Sequence, residues 1–448
     1  MGAQGSHRFT LCSPEGALIE RIRQTAPMAK WSIDITPLRT SKDFRNLFTS
    51  GMITYLGSMI TYVAIPFQVA HLTGSFVAVG AVGLVELVPL ILFGLYGGAL
   101  ADTLDRRRIV LVTEVAAIVL LGILFLNAMI PSPQLWLIYV IAFLLAAESG
   151  LQSPSLNAIM PRVVKHDELA AAGALRMVRY NVGSIVGPAA GGLIIAFGGV
   201  GLAYGVDLVS YVVSAFFLFR LRSLEPIRET TERAGVSHIL EGMKYALSRK
   251  DLLGTYIVDL IAMIFAFPIA LYPFLAQEFD APWALGLLYA ATAVGALIVT
   301  LTSGWTSKMK RHGRFVVIAA ALWGGCIALV GVAPNIWWVL VFLMFAGAAD
   351  IVSGIFRGLV WNQTIPDEVR GRMAGIEMLS YSVGPLLGQV RSSTVASLTS
   401  LRFSFASGGL LCVLGVGIAA VLTPALWNYN SDTNEHAQRE RDVRKDLQ

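Results

Sequence analysis

The chain has 448 residues, of which 55% are hydrophobic and 14% charged, with a formal net charge of +5. A soluble domain carries roughly 25% charged residues; here the charges fall in short runs between apolar stretches of about 20 residues, the length that crosses a bilayer core of about 30 Å. A dozen such stretches exclude a soluble globular enzyme, and basic residues confined to the loops between them exclude a nucleic-acid surface.

Residues 1–44 are polar and mixed in charge, with no apolar core of the signal-peptide kind, and form an N-terminal segment. Six predicted spans follow at 46–71, 76–101, 109–130, 135–157, 169–197 and 201–220, making a first bundle over 45–221. A charged central loop, 222–251, contains Ile239, Met243 and Leu247 at helical spacing, which predicts a short amphipathic helix over 238–248 on the membrane surface. Six more spans, at 253–277, 284–305, 315–333, 336–361, 370–397 and 402–424, make a second bundle over 252–424. Residues 425–448 are a charged tail, expected to be solvated or frayed. Continuous apolar runs leave helices as the spanning element, so the fold class is all-α with twelve transmembrane helices. Lys and Arg concentrate in one set of loops, including Arg106–Arg108, Arg162, Lys165, Lys308–Arg314, Arg370 and Arg372, while Arg402 is the exception in the other set. The positive-inside rule places the first set, and both termini, in the cytoplasm. Cys12, Cys326 and Cys412 lie far apart, without metal-ligand spacing.

The halves echo each other. Gly98–Arg108 after the second span corresponds to Gly304–Arg314 after the eighth, and His166-Asp-Glu-Leu before the fifth corresponds to Pro366-Asp-Glu-Val before the eleventh. Parallel six-helix repeats of this kind carry a binding site near the membrane midplane, between the halves.

Two motifs point further. Gly98-Ala-Leu-Ala-Asp102-Thr-Leu-Asp-Arg106-Arg107-Arg108 puts small residues at a close helix approach, an aspartate at a helix end, and arginines where acidic groups or lipid phosphates lie. Span five contains Gly183, Gly187, Pro188, Gly191 and Gly192, a flat packing face with a permitted kink. The first resembles the signature of the major facilitator superfamily, and the second resembles the antiporter motif of its exporter branch. Phe44–Phe48, Leu240–Tyr245, Gly286–Ala290 with Gly295 and Ala296, and Gly371–Met373 bring the chain nearer to the enterobactin exporter, putative secretion effector and macrolide efflux group. The resemblance covers roughly 37–424; segment 1–27 lies outside it, and Met28 is an alternative start. It implies that the Gly98–Arg108 loop latches the cytoplasmic side, with a departure at Asp105, where the family often has glycine.

Ionisable side chains at bilayer depth are costly and mark function by default. Glu148 and Asp350 fall near the middle of spans four and ten, equivalent places in the two repeats, and Glu86 near the middle of span two. One of the first two either couples transport to protons or is held in a structural ion pair with an arginine. Glu114 and Asp259 are close enough to helix ends to snorkel, and Arg391 and Asp207 sit toward the outer ends. Arg176, Arg179 and Tyr180 in span five, Arg357 in span ten, and Glu377 and Tyr381 in span eleven either line a cavity for an anionic aromatic molecule or, as an Arg176–Glu377 bridge, only tie the halves.

These features predict a proton-coupled secondary exporter of a siderophore-like metabolite or lipophilic drug, with no cofactor beyond the proton gradient. The expected partners are a small-molecule substrate and the bilayer, with function as a monomer. The alternatives are an importer of the same fold, against which the span-five motif argues, and a non-transporting receptor, against which the lack of any loop long enough for a signalling domain argues. No nucleophile constellation, metal set or Walker motif supports an enzyme or direct ATP drive.

Overall fold

The computed structural model describes residues 34–222 and 244–446, with backbone alone at 95, 99, 102, 367–372, 374–382 and 443–446. Twelve long helical segments organise it. They are α1 (Lys42–Thr73), α2 (Phe76–Thr103), α3 (Arg106–Met129), α4 (Leu135–Val163), then the continuous Leu169–Leu218 divided into α5 (169–198) and α6 (200–218), α7 (Lys250–Ala266), α8 (Leu285–Thr302), α9 (His312–Val330), α10 (Ile336–Thr364), α11 (Asp367–Leu398) and α12 (Leu401–Leu422). Among the described residues, ten helices are long and apolar enough to cross a membrane. One of them, His166–Leu218, has 53 residues, enough for two crossings, and it breaks at Gly199, whose φ of 75° and ψ of 177° only glycine adopts readily. That division, together with the more polar α11, makes up the twelve.

The helix starts follow from local chemistry. Ser41, Ser75, Asn335 and Ser400 each accept a hydrogen bond from an amide in the first turn, and Gly74 closes α1 in the left-handed conformation. Asp105, the departure from the family pattern, caps α3 by accepting from the Arg107 amide at 2.9 Å. Span seven differs from its expected single run. α7 stops at Ala266, and a one-turn 3₁₀ segment leads into a separate short helix, Tyr272–Glu278. Pro268 has no amide hydrogen to continue the ladder, and Pro273 sits in the first turn of the new helix.

Packing repeats between the halves. In the first, α1 packs on α5, α2 on α4 and α3 on α6; in the second, α7 packs on α11, α8 on α10 and α9 on α12. The halves meet where α2 lies on α11 and α5 on α8. The second half is tied internally by buried charges. Arg357 of α10 pairs with Asp259 of α7, both about 3% exposed. Arg391 of α11 donates to the carbonyls of Phe265 at 3.2 Å and Ser404 at 3.1 Å. Asp259 therefore sits in a buried ion pair instead of snorkelling: α10 passes close enough to bring Arg357 to it.

The tail also differs from expectation. Residues 424–446 fold back as a short helix, Pro424–Trp427, and a longer one, α13 (Glu435–Asp446). Tyr429 is buried, donates to Gln363 Oε1 at 3.1 Å and stacks near His312. Asp432 pairs with Lys310 at 2.5 Å, a hydrogen bond that holds its carboxyl below the ordinary aspartate range. A charged composition suggested solvation, but the apolar residues within it, Leu426, Trp427 and Tyr429, find a buried seat over α7, α9 and α10. Of the expected amphipathic helix, 238–243 lies outside the described residues, and 244–248 is helical.

Candidate functional site

A cavity of about 560 Å³ opens between the halves and runs into the first bundle among α1, α3, α4 and α6. Its polar wall comes from the first half. α1 presents Thr54, Ser58 and Thr61 on one stripe, with Tyr55 and Tyr62 beside it; α6 presents Asp207, Tyr211 and Ser214. The second half contributes Phe267, Pro385, Leu386 and Gln389, none of them charged.

Four carboxyl side chains reach this space: Glu86, Glu114, Glu148 and Asp207. Glu114, 1% exposed, accepts from Thr54 at 3.3 Å and from Gln152 at 2.9 Å. Asp207, also 1% exposed, accepts from Thr61 at 2.5 Å and Ser210 at 3.1 Å. Glu148 is 7% exposed, and its Oε1 has no hydrogen-bond partner among the described residues. Glu86 likewise faces the cavity without a hydrogen bond or ion pair among them. Arg179 is the cation in the lining, with its guanidinium against Gly51.

The other nominated residues lie around this core. Tyr180 stacks on Tyr55 with ring centroids 5.7 Å apart, and Asp350 lies within its electrostatic range. Asp350 thus faces the interface of the halves without lining the cavity. Arg176 is exposed and donates to Asn157 Oδ1 at 2.9 Å. The side chains of Glu377, Tyr381 and Asp102 lie outside the described residues. Glu114 and Asp207, discounted in sequence as end-of-helix groups, are in the cavity wall. The signal that identifies Asp207 is the polar stripe Asp207, Ser210, Tyr211 and Ser214, at helical spacing on α6.

At the end away from the basic loops the cavity is closed by backbone-to-backbone approach. The backbone of Gly192 in α5 lies against that of Gly286 in α8, and Gly80 of α2 lies against the Ser393 side chain of α11. Phe76 and Phe274 pack at a 4.4 Å centroid separation, and Tyr62 meets Tyr289 at 5.8 Å. Gly183, Gly187 and Gly191 instead seat α1, against Tyr55, Met59 and Ile60, while the Pro188 carbonyl faces Gly286. At the basic end, Arg106 donates to the carbonyls of Ala101 at 3.2 Å and Ala158 at 3.3 Å, and Arg107 to that of Phe219 at 2.7 Å. These arginines bind the carbonyl ends of α2 and α6 and the side of α4, where cations suit the helix dipole. Gly98 has open space where a Cβ would stand, and Arg108 is exposed.

The profile of the transmembrane secretion effector family matches residues 32–447. The chain belongs to that family. As a transmembrane secretion effector, within the major facilitator superfamily, it is a multi-pass membrane transporter and not an enzyme. Its similar relatives include the enterobactin exporter EntS of Shigella boydii serotype 18 and of Escherichia coli O1:K1, each 28% identical over 397 residues, 88% of this chain and 94% of the relative. Solved structures show the same fold at low identity. The nucleoside transporter NupG superposes with a TM-score of 0.68 at 13% identity, covering 86% of this chain and 98% of that one. A bacterial ferroportin homologue in an inward-facing state gives 0.65 at 16%, with the same coverage of each. The secretion effector fold thus accounts for the repeated packing of α1–α6 and α7–α12.

Proposed function

We propose that this transporter exports a small molecule by alternating access, in exchange for protons. The observation that carries the reading is a cavity between two repeats, closed at one end by glycine contacts, with two carboxyl side chains facing it, Glu86, without a hydrogen bond or ion pair among the described residues, and Glu148, whose Oε1 has no partner among them. Glycine faces part without unpacking side chains, so the closed end can open as the halves rock. A carboxyl that gains or loses a proton there changes the relative energy of the two facing states, the requirement for coupling. Asp350, at the interface, is the second-half candidate for the same role. The 28% identity to enterobactin exporters supports outward transport and a siderophore-like metabolite as cargo, with lipophilic drugs the other class. On this reading the basic loops and both termini face the cytoplasm, which the open end of the cavity then also faces.

Inside-out vesicles with an acidified lumen test this directly. A catecholate siderophore, followed by mass spectrometry, or a fluorescent lipophilic dye should accumulate in the lumen, and a protonophore should abolish the accumulation. Accumulation indifferent to the protonophore would remove the proton drive, and exclusion of both cargoes would remove the export reading.

A further inference from the structure

The loop that joins α8 to α9 carries more unbalanced charge than its counterpart in the first half. Residues 303–314 contain Lys308, Lys310, Arg311 and Arg314 and no acidic residue, whereas the corresponding 97–108 set Asp102 and Asp105 against Arg106, Arg107 and Arg108. The two helix starts differ in the same sense. Asp105 caps α3 through the Arg107 amide. Arg311 holds the equivalent place before α9, which has no side-chain cap and no acidic residue in its first turn. A helix start is itself electropositive, so cations gathered there favour an anion from outside.

The chain supplies one such anion, since Asp432 of the tail pairs with Lys310. Lys308, Arg311 and Arg314 have no hydrogen bond or ion pair among the described residues. Arg314 holds its guanidinium 5.4 Å from the centre of the Trp427 ring.

Their level in the membrane follows from α9. Ile318, Leu322 and Leu329 are about half exposed and follow Arg314 at spacings of four, four and seven, one stripe of the helix. An exposed apolar stripe on a spanning helix faces acyl chains, so Arg314 stands at its foot, where head groups begin. Arg311 and Lys308, both exposed, lie just beyond. Trp427, five residues past the end of α12, belongs to the residue type that favours this level. Trp305 packs on Phe315 and Phe356 at centroid separations of 5.8 Å, which holds the loop against the bundle.

We infer that this corner of the second half binds the phosphate of an anionic phospholipid in the adjoining leaflet, with Arg311 and Arg314 as donors and Trp427 beside them. Guanidinium groups take phosphate oxygens in pairs. A zwitterionic head group would bring an ammonium to a loop with no carboxylate of its own, beside an Asp432 already paired, so the site selects net negative charge.

The test is native mass spectrometry of the full chain in detergent, titrated with phosphatidylglycerol, phosphatidylethanolamine or phosphatidylcholine of identical acyl chains. In the unaltered protein phosphatidylglycerol should bind about 25-fold tighter than either of the others, at about fivefold for each of the two cations. Arg311→Gln with Arg314→Gln should remove that advantage. Lys165→Gln with Arg220→Gln, which takes the same charge from loops of the first half, should leave it in place. Equal affinities in the unaltered protein, an advantage that survives the Arg311 and Arg314 changes, or one that the control pair removes as fully would overturn the inference. So would displacement of the lipid by an equal concentration of sn-glycerol 3-phosphate, which would make this an anion site with no need of a membrane.

Discussion

Adding one methyl group at the α5–α8 crossing should shift the transporter between its two facing states. A Cβ built on Gly286 would stand 2.5 Å from the Pro188 carbonyl oxygen and 2.8 Å from that of Ala189. Ordinary contact begins at 3.4 Å, so Gly286→Ala forces the two backbones apart by up to 0.9 Å, the difference 3.4 − 2.5. Neither neighbour is a side chain that can swing away. Small-to-large changes at packed contacts cost about 1–3 kcal/mol. The cost falls on the state in which α5 touches α8 and not on the state in which they have separated, so the equilibrium moves by about 5- to 150-fold toward opening at that end. Spin labels at Ser132→Cys and Val332→Cys, in the loops at the closed end of each half, report the change in a background with the three native cysteines replaced by serine. The longer-distance population should grow in Gly286→Ala, and also in Gly192→Ala, whose Cβ would meet the Gly286 backbone. An unchanged distance distribution in a folded, monodisperse variant would refute the view that this crossing is the closure.

Other outcomes follow from the contacts around it. Asp259→Asn should lose about 3–5 kcal/mol of stability by stranding Arg357, while Asp259→Leu with Arg357→Met recovers most of it; detergent-phase unfolding that ranks the double variant with the single one contradicts this. Asp102→Asn and Arg106→Ala should reduce transport more than membrane insertion, measured together by uptake and immunoblot. Glu148→Gln and Asp350→Asn should abolish accumulation on a pH gradient but keep downhill exchange of labelled cargo, whereas parallel loss of expression and both transport modes indicates a structural role. Asp432→Asn should free the tail from Lys310, seen as faster tryptic cleavage at Arg439 and Arg441 with the rest of the chain unchanged.

Much of the architecture was legible because lipid imposes a simple rule: apolar runs of spanning length, punctuated by basic loops, have to be helices. Even the break near residue 199 was visible as a glycine cluster between two runs. The interruption at Pro268 was not, since proline is tolerated inside several other helices here, including α1 at Pro66 and α5 at Pro188. The site was legible in its carboxyls and less so in its pairings. Glu86 and Glu148 were identified by depth alone, and both reach the cavity. The partner of Arg357 was hidden because Asp259 lies 98 positions away, brought alongside by the crossing of α7 and α10. Distance from the helix middle misled for Glu114 and Asp207, whose burial comes from hydroxyl stripes on neighbouring helices and not from their depth.

The docked tail bears on how the protein is made. Leu426, Tyr429 and Asp432 complete a surface whose other parts, Gly254, His312, Lys310 and Gln363, are synthesised far earlier. Gly254 and Gly313 both lie against Leu426, with no room for a side chain of their own. Until residues 424–432 have left the ribosome, the basic-loop end of the second half has a gap in its packing. Chains arrested before residue 424 should therefore be nicked by protease there while the first half is already resistant, and resistance should appear in one step once the tail is released.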